Sequence, residues 1–173
     1  MIRTLMLTAA LTWASAGSVA AQDAGPTDAQ IAHIAYTAGL LDVAAGEQAL
    51  QKSTNPAVRA FAEVMVRDHK AVNDLALALV GRLNVTPEAN PISASLSEQA
   101  AATHMRLAQL EGAAFDRAYV ANEVAYHGTV NGALRTALIP SADNGELKAL
   151  LETGLTLFQQ HQVHAEHLAL EVR

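Results

Sequence analysis

Residues 56–83 read PAVRAFAEVMVRDHKAVNDLALALVGRL, and this stretch decides the fold. Its apolar side chains recur at the three- and four-residue steps of one helix face. These side chains are Ala62, Met65, Val72, Ala76 and Leu79. Asn55 can cap such a helix, and Pro56 suits its first position, where no amide hydrogen is needed. His69 falls in the middle of the apolar face, so the stretch predicts a long helix that carries one histidine into the core.

Three further segments repeat this pattern, and each has one polar residue within its apolar stripe. They predict helices over about residues 28–52, over about 113–139, and from the turn at 141–145 to about residue 171. The polar residues in the three stripes are Asp42, His127 and His161. Pro140 should end the third long helix, because proline has no amide hydrogen for the helical hydrogen bonds. Four helices would therefore direct three histidines and one acid inward.

The connections predict how the helices pack. Short turns join the first long helix to the second and the third to the fourth, which makes two antiparallel hairpins. Residues 84–95 contain Pro87, Pro91 and small polar residues, so they predict a loop. A shorter helix over about 96–110 follows, and Gly112 marks a break before the third long helix. The predicted fold is all-α, a ferritin-like antiparallel four-helix bundle with a long loop plus a short helix between helices 2 and 3.

The amino-terminal segment predicts export. Residues 1–21 place Arg3 before an apolar run and small residues before a cleavage point after Ala21, as in a secretory signal peptide. The mature chain, residues 22–173, is then expected to form one domain in the periplasm or cell envelope. It contains no apolar stretch of about 18 residues, so no transmembrane segment is expected in it.

Charge and cysteine content exclude several classes of function. Without Arg3, the 11 Lys and Arg become 10 against 17 Asp and Glu, a net charge of −7, which disfavours nucleic acid as a partner. The absence of cysteine excludes disulfides and zinc–thiolate sites, so a metal would need histidine and carboxylate ligands. The sequence has no glycine-rich phosphate loop, no His-Glu-x-x-His and no Gly-x-Ser-x-Gly. No Glu precedes a His by three residues, which disfavours an ordinary di-iron carboxylate centre.

The four polar core residues lie at similar heights along their helices. With a rise of about 1.5 Å per residue, Asp42 and His69 come within roughly 5 Å of one level, and His127 and His161 within roughly 6 Å. Three buried and unpaired imidazoles would cost on the order of 3 to 9 kcal/mol, so the rings must have partners. One alternative is a transition metal such as Fe, Cu, Zn or Mn. The other is a His–Asp hydrogen-bond network with water.

Further acids and histidines are secondary candidates. Glu123 lies one turn before the histidine of the third long helix, where it is either a further ligand or acceptor, or a solvated carboxylate. Asp68 lies about 100° around the helix from His69, so it should face solvent or form a salt bridge. His164 and His167 follow at three-residue steps, where they form either a surface metal pair or a solvated helix end.

Several short motifs along the chain match one bacterial family. They are Gly39-Leu40-Leu41-Asp42-Val43, Asp68-His69, Phe115-Asp116-Arg117-Ala118-Tyr119 with His127, and His161. Over nearly the whole mature chain the sequence resembles the domain-of-unknown-function 4142 family, DUF4142. The resemblance implies export, a ferritin-like bundle, a label of outer-membrane protein for some members, and a family pattern of three histidines matched by His69, His127 and His161. The family usually has Glu where this chain has Asp42, and Leu-Pro where it has Leu155-Thr156.

The leading functional hypothesis is an exported ferritin-like bundle that binds one transition metal ion through His69, His127 and His161. Asp42 or Glu123 would complete the coordination, and the role would be metal handling or protection from oxidants. The alternative is a non-enzymatic structural or stress protein of the cell envelope, whose core histidines form a hydrogen-bond network. A metal-dependent enzyme, the third hypothesis, additionally requires an open coordination position.

Overall fold

Helices account for all the regular structure of the part of the chain that the computed structural model describes, residues 25–172. They are α1 (Asp28–Lys52), α2 (Pro56–Leu83), α3 (Pro91–Ala108), α4 (Gly112–Ala133), a π-helix (Leu134–Leu138), α5 (Ile139–Ser141) and α6 (Gly145–Glu171). No strand occurs within residues 25–172, so the predicted all-α class is confirmed. None of the described helices combines the length and the hydropathy that crossing a membrane requires. The predicted signal peptide, residues 1–21, lies outside the described residues.

Side-chain caps determine where the long helices begin. The Thr27 hydroxyl accepts a hydrogen bond from the Gln30 amide, and the Gln30 side chain accepts one from the Thr27 amide, which closes a capping box at α1. Asn55 and Asn144 accept amide hydrogens in the first turns of α2 and α6. The first amides of a helix have no carbonyl partner within it, so these side chains supply the missing acceptors. The bounds predicted for α1 and α2 are confirmed.

The predicted start of the short helix is wrong. α3 begins at Pro91, earlier than the expected start near residue 96, and the preceding loop is confined to residues 84–90. The Asn90 side chain accepts hydrogen bonds from two amides of the first turn, and Pro91 occupies a position that needs no amide hydrogen. The proline that suggested a loop is therefore the first residue of the helix.

The predicted end of the third long helix is also wrong, because the helical path continues through Pro140 to Ser141. Between Leu134 and Leu138 the chain forms a π-helix, and the Ile139 amide then donates to the carbonyl of Leu134. This wider turn shifts the hydrogen-bond register just before the residue that has no amide hydrogen. The change from α to π hydrogen bonding therefore lets the helical path pass through Pro140 and end at Ser141.

Two apolar clusters fill the interior. Each long helix contributes one of its ends to the first cluster and its other end to the second. The carboxyl-terminal half of α1 and the amino-terminal parts of α2 and α4 meet the end of α6 around Phe61, Phe115 and Tyr119. The other ends of the same helices meet around Ile31, Leu134 and Phe158. α1 therefore runs antiparallel to α2, and α4 runs antiparallel to α6. The ferritin-like topology remains a prediction.

Candidate metal centre

Five ionisable side chains meet between the two apolar clusters. Asp42 comes from α1, His69 from α2, Glu123 and His127 from α4, and His161 from α6. Each of them is at most 3% exposed. Each lies on the buried face of its helix, so these faces carry the polar side chains inward. All five residues that the sequence singled out are brought together.

The three imidazole rings form a nearly equilateral triangle. The ring centroids are 5.6 Å apart for His69 and His127, 5.4 Å for His69 and His161, and 5.5 Å for His127 and His161. One ring nitrogen from each histidine lies within 4.8 Å of the other two. Asp42, Glu123 and His127 offer a second set of ligand atoms within the same mutual distance. Because His127 belongs to both sets, the five side chains form one continuous cluster.

Hydrogen bonds fix the tautomers of two rings. His127 Nδ1 lies 3.0 Å from the backbone carbonyl oxygen of Glu123, and His161 Nε2 lies 3.0 Å from Asp68 Oδ2. Carbonyl and carboxylate oxygens accept hydrogen bonds, so both nitrogens carry the hydrogen and donate it. The opposite nitrogens, His127 Nε2 and His161 Nδ1, are buried and have no hydrogen-bond partner. Each ring thus keeps a free lone pair inside the cluster, as a metal ligand must.

Burial also keeps these two rings uncharged. Removal from water lowers the pKa of His127, although the Asp42 carboxylate opposes the shift. Burial lowers the pKa of His161 to about 4, although the hydrogen bond to Asp68 opposes the shift. Both rings are therefore neutral near pH 7, and neutral imidazole is the form that binds metal ions.

Asp42 is the anion at the middle of the cluster. Its Oδ2 atom lies 2.9 Å from His69 Nε2 and 3.4 Å from His127 Nε2, but none of these three atoms has a hydrogen bond of acceptable geometry. Burial alone would raise the pKa of Asp42, but the neighbouring rings of His69 and then His127 outweigh burial and lower it. The cluster consequently holds a buried, ionised carboxylate beside two imidazole rings.

Glu123 is fully buried, so the alternative of a solvated carboxylate is wrong. Burial and the nearby Asp42 carboxylate raise the pKa of Glu123 well above its ordinary value. Its Oε2 atom has no hydrogen-bond partner, and Asn122 Nδ2 donates to its Oε1 at 3.4 Å. Carboxylates are seldom buried without a partner, so the sequence alone favoured solvent at this position. Asp42 of α1 is the neighbour of Glu123, and the sequence did not predict this contact.

Asp68 contributes to the cluster in a way that the sequence did not predict. Its predicted salt bridge is confirmed, since Arg67 Nε lies 2.7 Å from Asp68 Oδ1. The hydrogen bond from Arg67 holds the pKa of Asp68 below its ordinary value, so the group is ionised when it accepts from His161. Adjacent residues of a helix point about 100° apart, and while His69 points into the core, Asp68 points towards α6. The Asp-His pair could have suggested this second role.

An aromatic ring covers one side of the histidine triangle. Phe158 stacks on His69 with a centroid distance of 4.6 Å and an angle of 8° between the planes. It also meets His127 edge-on at 6.4 Å. The sequence did not predict these contacts between Phe158 and the histidines. Neither ring nitrogen of His69 forms a hydrogen bond, so the stack restrains the plane of this imidazole.

The other predicted candidates lie apart from the cluster. His164 and His167 are exposed on α6, and the His164 ring packs edge-on against Phe61 at 5.0 Å. A surface metal pair at these two positions stays a prediction. His33 and His104 are partly or fully exposed on α1 and α3.

Two cavities reach the cluster from different sides. A cavity of about 220 Å³ with mainly apolar walls, bordered by α1, α2, α4, the π-helix and α6, extends to Asp42, His69 and His127. A cavity of about 190 Å³ with more polar walls lies between α1, α3 and α4 and extends to Asp42 and Glu123. The two cavities therefore adjoin the same group of side chains.

Fold and cluster together define a class of protein, an all-helical chain whose interior holds histidines and carboxylates of metal-binding composition. This chain belongs to the family described as Domain of unknown function (DUF4142), whose model matches residues 14–168. The resemblance noted in the sequence is confirmed. No curated protein and no solved structure matches the chain. Because the family's description carries no activity, the function has to be argued from the site.

Proposed function

We propose that this protein binds one transition metal ion in its core through His69, His127 and His161, with Asp42 or Glu123 as the fourth ligand. The observation that carries the proposal is the set of buried, unpartnered ligand atoms on converging side chains. An unsatisfied buried polar atom costs about 1 to 3 kcal/mol, and this cluster contains several. A bound cation would satisfy them together.

The separations of Asp42 from His69 and His127 are close to those of ligands around one shared ion. Ligands about 2.0 to 2.2 Å from a tetrahedral metal ion lie roughly 3.3 Å from one another. Asp42 Oδ2 lies 2.9 Å from His69 Nε2 and 3.4 Å from His127 Nε2, close to that separation. These short approaches lack hydrogen-bond geometry, which a shared metal ion would explain. The lone pair of His161 Nδ1 would supply the remaining imidazole.

The surroundings of the cluster favour a cation. Asp42 is ionised and the two hydrogen-bonded rings are neutral, and a divalent ion would offset the charge of this carboxylate. Asp68 and the Glu123 carbonyl hold the rings of His161 and His127 by their outer nitrogens, as acceptors around metal-bound histidines commonly do. The polar cavity beside Glu123 offers an entry path for the ion.

Three imidazoles and one carboxylate fill a four-coordinate shell, which suits Zn, Cu, Fe or Mn. A shell made only of protein ligands leaves no open position for a substrate. The proposed role is therefore metal handling, or protection from oxidants by sequestering the metal, within a ferritin-like four-helix bundle. We also propose that the protein is exported to the periplasm or cell envelope, because residues 1–21 resemble a secretory signal peptide.

Metal content of three proteins tests the proposal. The first is the wild type, the second has alanine at His69, His127 and His161, and the third has alanine at three histidines outside the cluster, His33, His104 and His167. After reconstitution and dialysis, the wild type and the third protein should each retain one ion per chain. The core variant should retain none. Equal metal content in all three proteins would overturn the proposal.

The core variant could fail to fold, so a second measurement uses the wild type alone. A ligand that binds only the folded state at a free concentration of about 100 times Kd adds about 2.7 kcal/mol to the unfolding free energy. The thermal midpoint should consequently rise with added metal and fall with chelator. The alternative is a hydrogen-bond network of the core histidines and Asp42 with water, and an unchanged midpoint in the presence of chelator would favour it.

A further inference from the structure

Outside the ionisable cluster, one polar group that lines the apolar cavity has no hydrogen-bond partner. Asn73 lies on α2 one turn after His69, is 6% exposed, and lines the cavity. Its Nδ2 atom is buried and has no hydrogen-bond partner. The hydroxyl groups of Tyr126 and Thr129, which also line the cavity, already donate to backbone carbonyls. The amide of Asn73 is therefore free to bind a molecule that enters the cavity.

A close helix contact holds this amide in place. A Cβ atom added to Gly39 of α1 would lie only 2.2 Å from Asn73 Oδ1, so the glycine provides the space that the amide occupies. One side of the Asn73 side chain thus rests against the backbone of α1. Its unpartnered nitrogen belongs to a group held by packing.

We propose that this cavity binds a small uncharged organic molecule with an apolar body and one hydrogen-bond-accepting oxygen, which Asn73 recognises. An engineered apolar cavity of about 150 Å³ admits benzene, so a volume of about 220 Å³ would take somewhat more, on the order of eight to ten heavy atoms. The walls are almost entirely apolar, and they favour a hydrocarbon body over water. The inference goes beyond the metal centre and does not depend on it.

The charge of the ligand follows from the walls of the cavity. They are almost entirely apolar, so an anionic ligand would lose its hydration and gain few hydrogen-bond donors. A cation would lose its hydration against walls that offer few acceptors. A neutral molecule suffers neither penalty, and its oxygen can accept the hydrogen bond from Asn73 beside the histidine cluster.

The π-helix gives independent support for a binding function here. Leu134 and Leu138, its first and last residues, line the cavity. Single π turns within α-helices are frequent at functional sites. Ile92 of α3 also lines the cavity and is 50% exposed, so the lining reaches the surface at this residue.

Three small aromatic probes test the proposal on chelator-treated protein by ligand-observed NMR titration. Acetophenone has an apolar body and one acceptor oxygen, ethylbenzene has nearly the same shape without the oxygen, and benzoate is charged. The wild type should bind acetophenone at least about fivefold more tightly than ethylbenzene, as expected for one added hydrogen bond. Benzoate should not bind. Absence of saturable binding of acetophenone, or tighter binding of benzoate, would overturn the proposal.

Matched variants locate the binding. Ala76 lines the cavity and Ala78 is exposed on the same helix, so Ala76→Leu should weaken acetophenone binding at least about tenfold, while Ala78→Leu should leave it unchanged. Asn73→Leu keeps the size of the side chain and should bind the two neutral probes equally. Each variant is first checked for folding by circular dichroism. Equal binding by the two leucine variants would place the ligand elsewhere, and a retained preference in Asn73→Leu would refute the role of the amide.

The outcome can be separated from that of the metal proposal, because these titrations contain no metal. A protein that binds acetophenone but no metal would keep this inference and overturn the metal centre. A protein that binds metal but none of the probes would keep the metal centre and overturn the inference about the cavity.

Discussion

The substitution Glu123→Gln tests the electrostatics of the cluster most sharply. Glu123 is fully buried beside the ionised Asp42, and both conditions raise its pKa well above the ordinary value of 4.5. The folded protein therefore keeps this proton at pH values where the unfolded chain has lost it. Glutamine has nearly the same shape and never ionises, so the variant removes this single difference in proton binding.

The sign and slope of the effect follow from linkage. Above about pH 4.5 the metal-free wild type binds one more proton when folded than when unfolded, so Glu123 lowers the unfolding free energy by about 1.4 kcal/mol per pH unit. The loss continues until the folded carboxyl group ionises. All other ionisable residues are the same in the two proteins, so their contributions cancel in the difference. Relative to the wild type, Glu123→Gln should accordingly gain stability as the pH rises.

Urea unfolding of chelator-treated protein, followed by far-UV circular dichroism between about pH 4.5 and about pH 7.5, measures this difference. Glu98, exposed on α3, gives the matched control Glu98→Gln, which should follow the wild type at every pH. Parallel curves for the wild type and Glu123→Gln would refute the reasoning. So would a wild type that gains stability relative to the variant as the pH rises.

The same pair of proteins identifies the fourth ligand. If the carboxylate of Glu123 binds the metal, added metal should stabilise the wild type by far more than it stabilises Glu123→Gln. If Asp42 is the ligand, both proteins should gain similarly, and Asp42→Asn should lose the effect. Comparing the metal-induced shifts of the thermal midpoint distinguishes the two assignments.

Three further predictions concern other residues. In metal-free Glu123→Gln, the unfolding free energy should fall by on the order of 2 to 3 kcal/mol as the pH drops from about 6.5 to about 4. The reason is that, as the pH falls, His161 takes up its proton in the unfolded chain before it does so in the folded protein. A urea-unfolding free energy that does not change over this pH range would contradict the prediction. Gly46→Ala should destabilise by on the order of 1 kcal/mol, since its Cβ would lie 2.8 Å from a valine methyl group and 3.3 Å from a backbone carbonyl oxygen of α2, whereas Gly81→Ala, with open space around it, should gain up to about 1 kcal/mol. Ser53→Ala should cost about 1 to 3 kcal/mol, because it removes the buried hydrogen bond that Ser53 donates to Asp116 at 2.5 Å; thermal unfolding should show no such loss when Asp116 is already alanine, which leaves no acceptor there.

The helices were predictable because their information is local. Apolar spacing and caps such as Asn55 with Pro56 act within a few residues, and they fixed α1 and α2 correctly. Pro91 and Pro140 misled the sequence reading because a proline acts differently at each position of a helix. The capping side chain of Asn90 decided one case, and the shift to π hydrogen bonding decided the other.

The sequence predicted which residues belong to the cluster, but not how they contact their neighbours. A polar residue at a missing step of an apolar stripe indicates that it points inward, and this rule found Asp42 and the three core histidines. The burial of Glu123 and the hydrogen bond from His161 to Asp68 depend on which helices are neighbours and how they are rotated. No local sequence pattern specifies which helices are neighbours or how each helix is rotated. For the same reason, the free amide of Asn73 could be recognised only from the packed helices.

Crystals of zinc-reconstituted protein, measured on both sides of the zinc absorption edge, test the metal centre most directly. The account predicts one anomalous peak about 2.0 to 2.2 Å from one nitrogen of each of His69, His127 and His161 and from one carboxylate oxygen. A core without such a peak, or zinc bound only at His164 and His167, would contradict it.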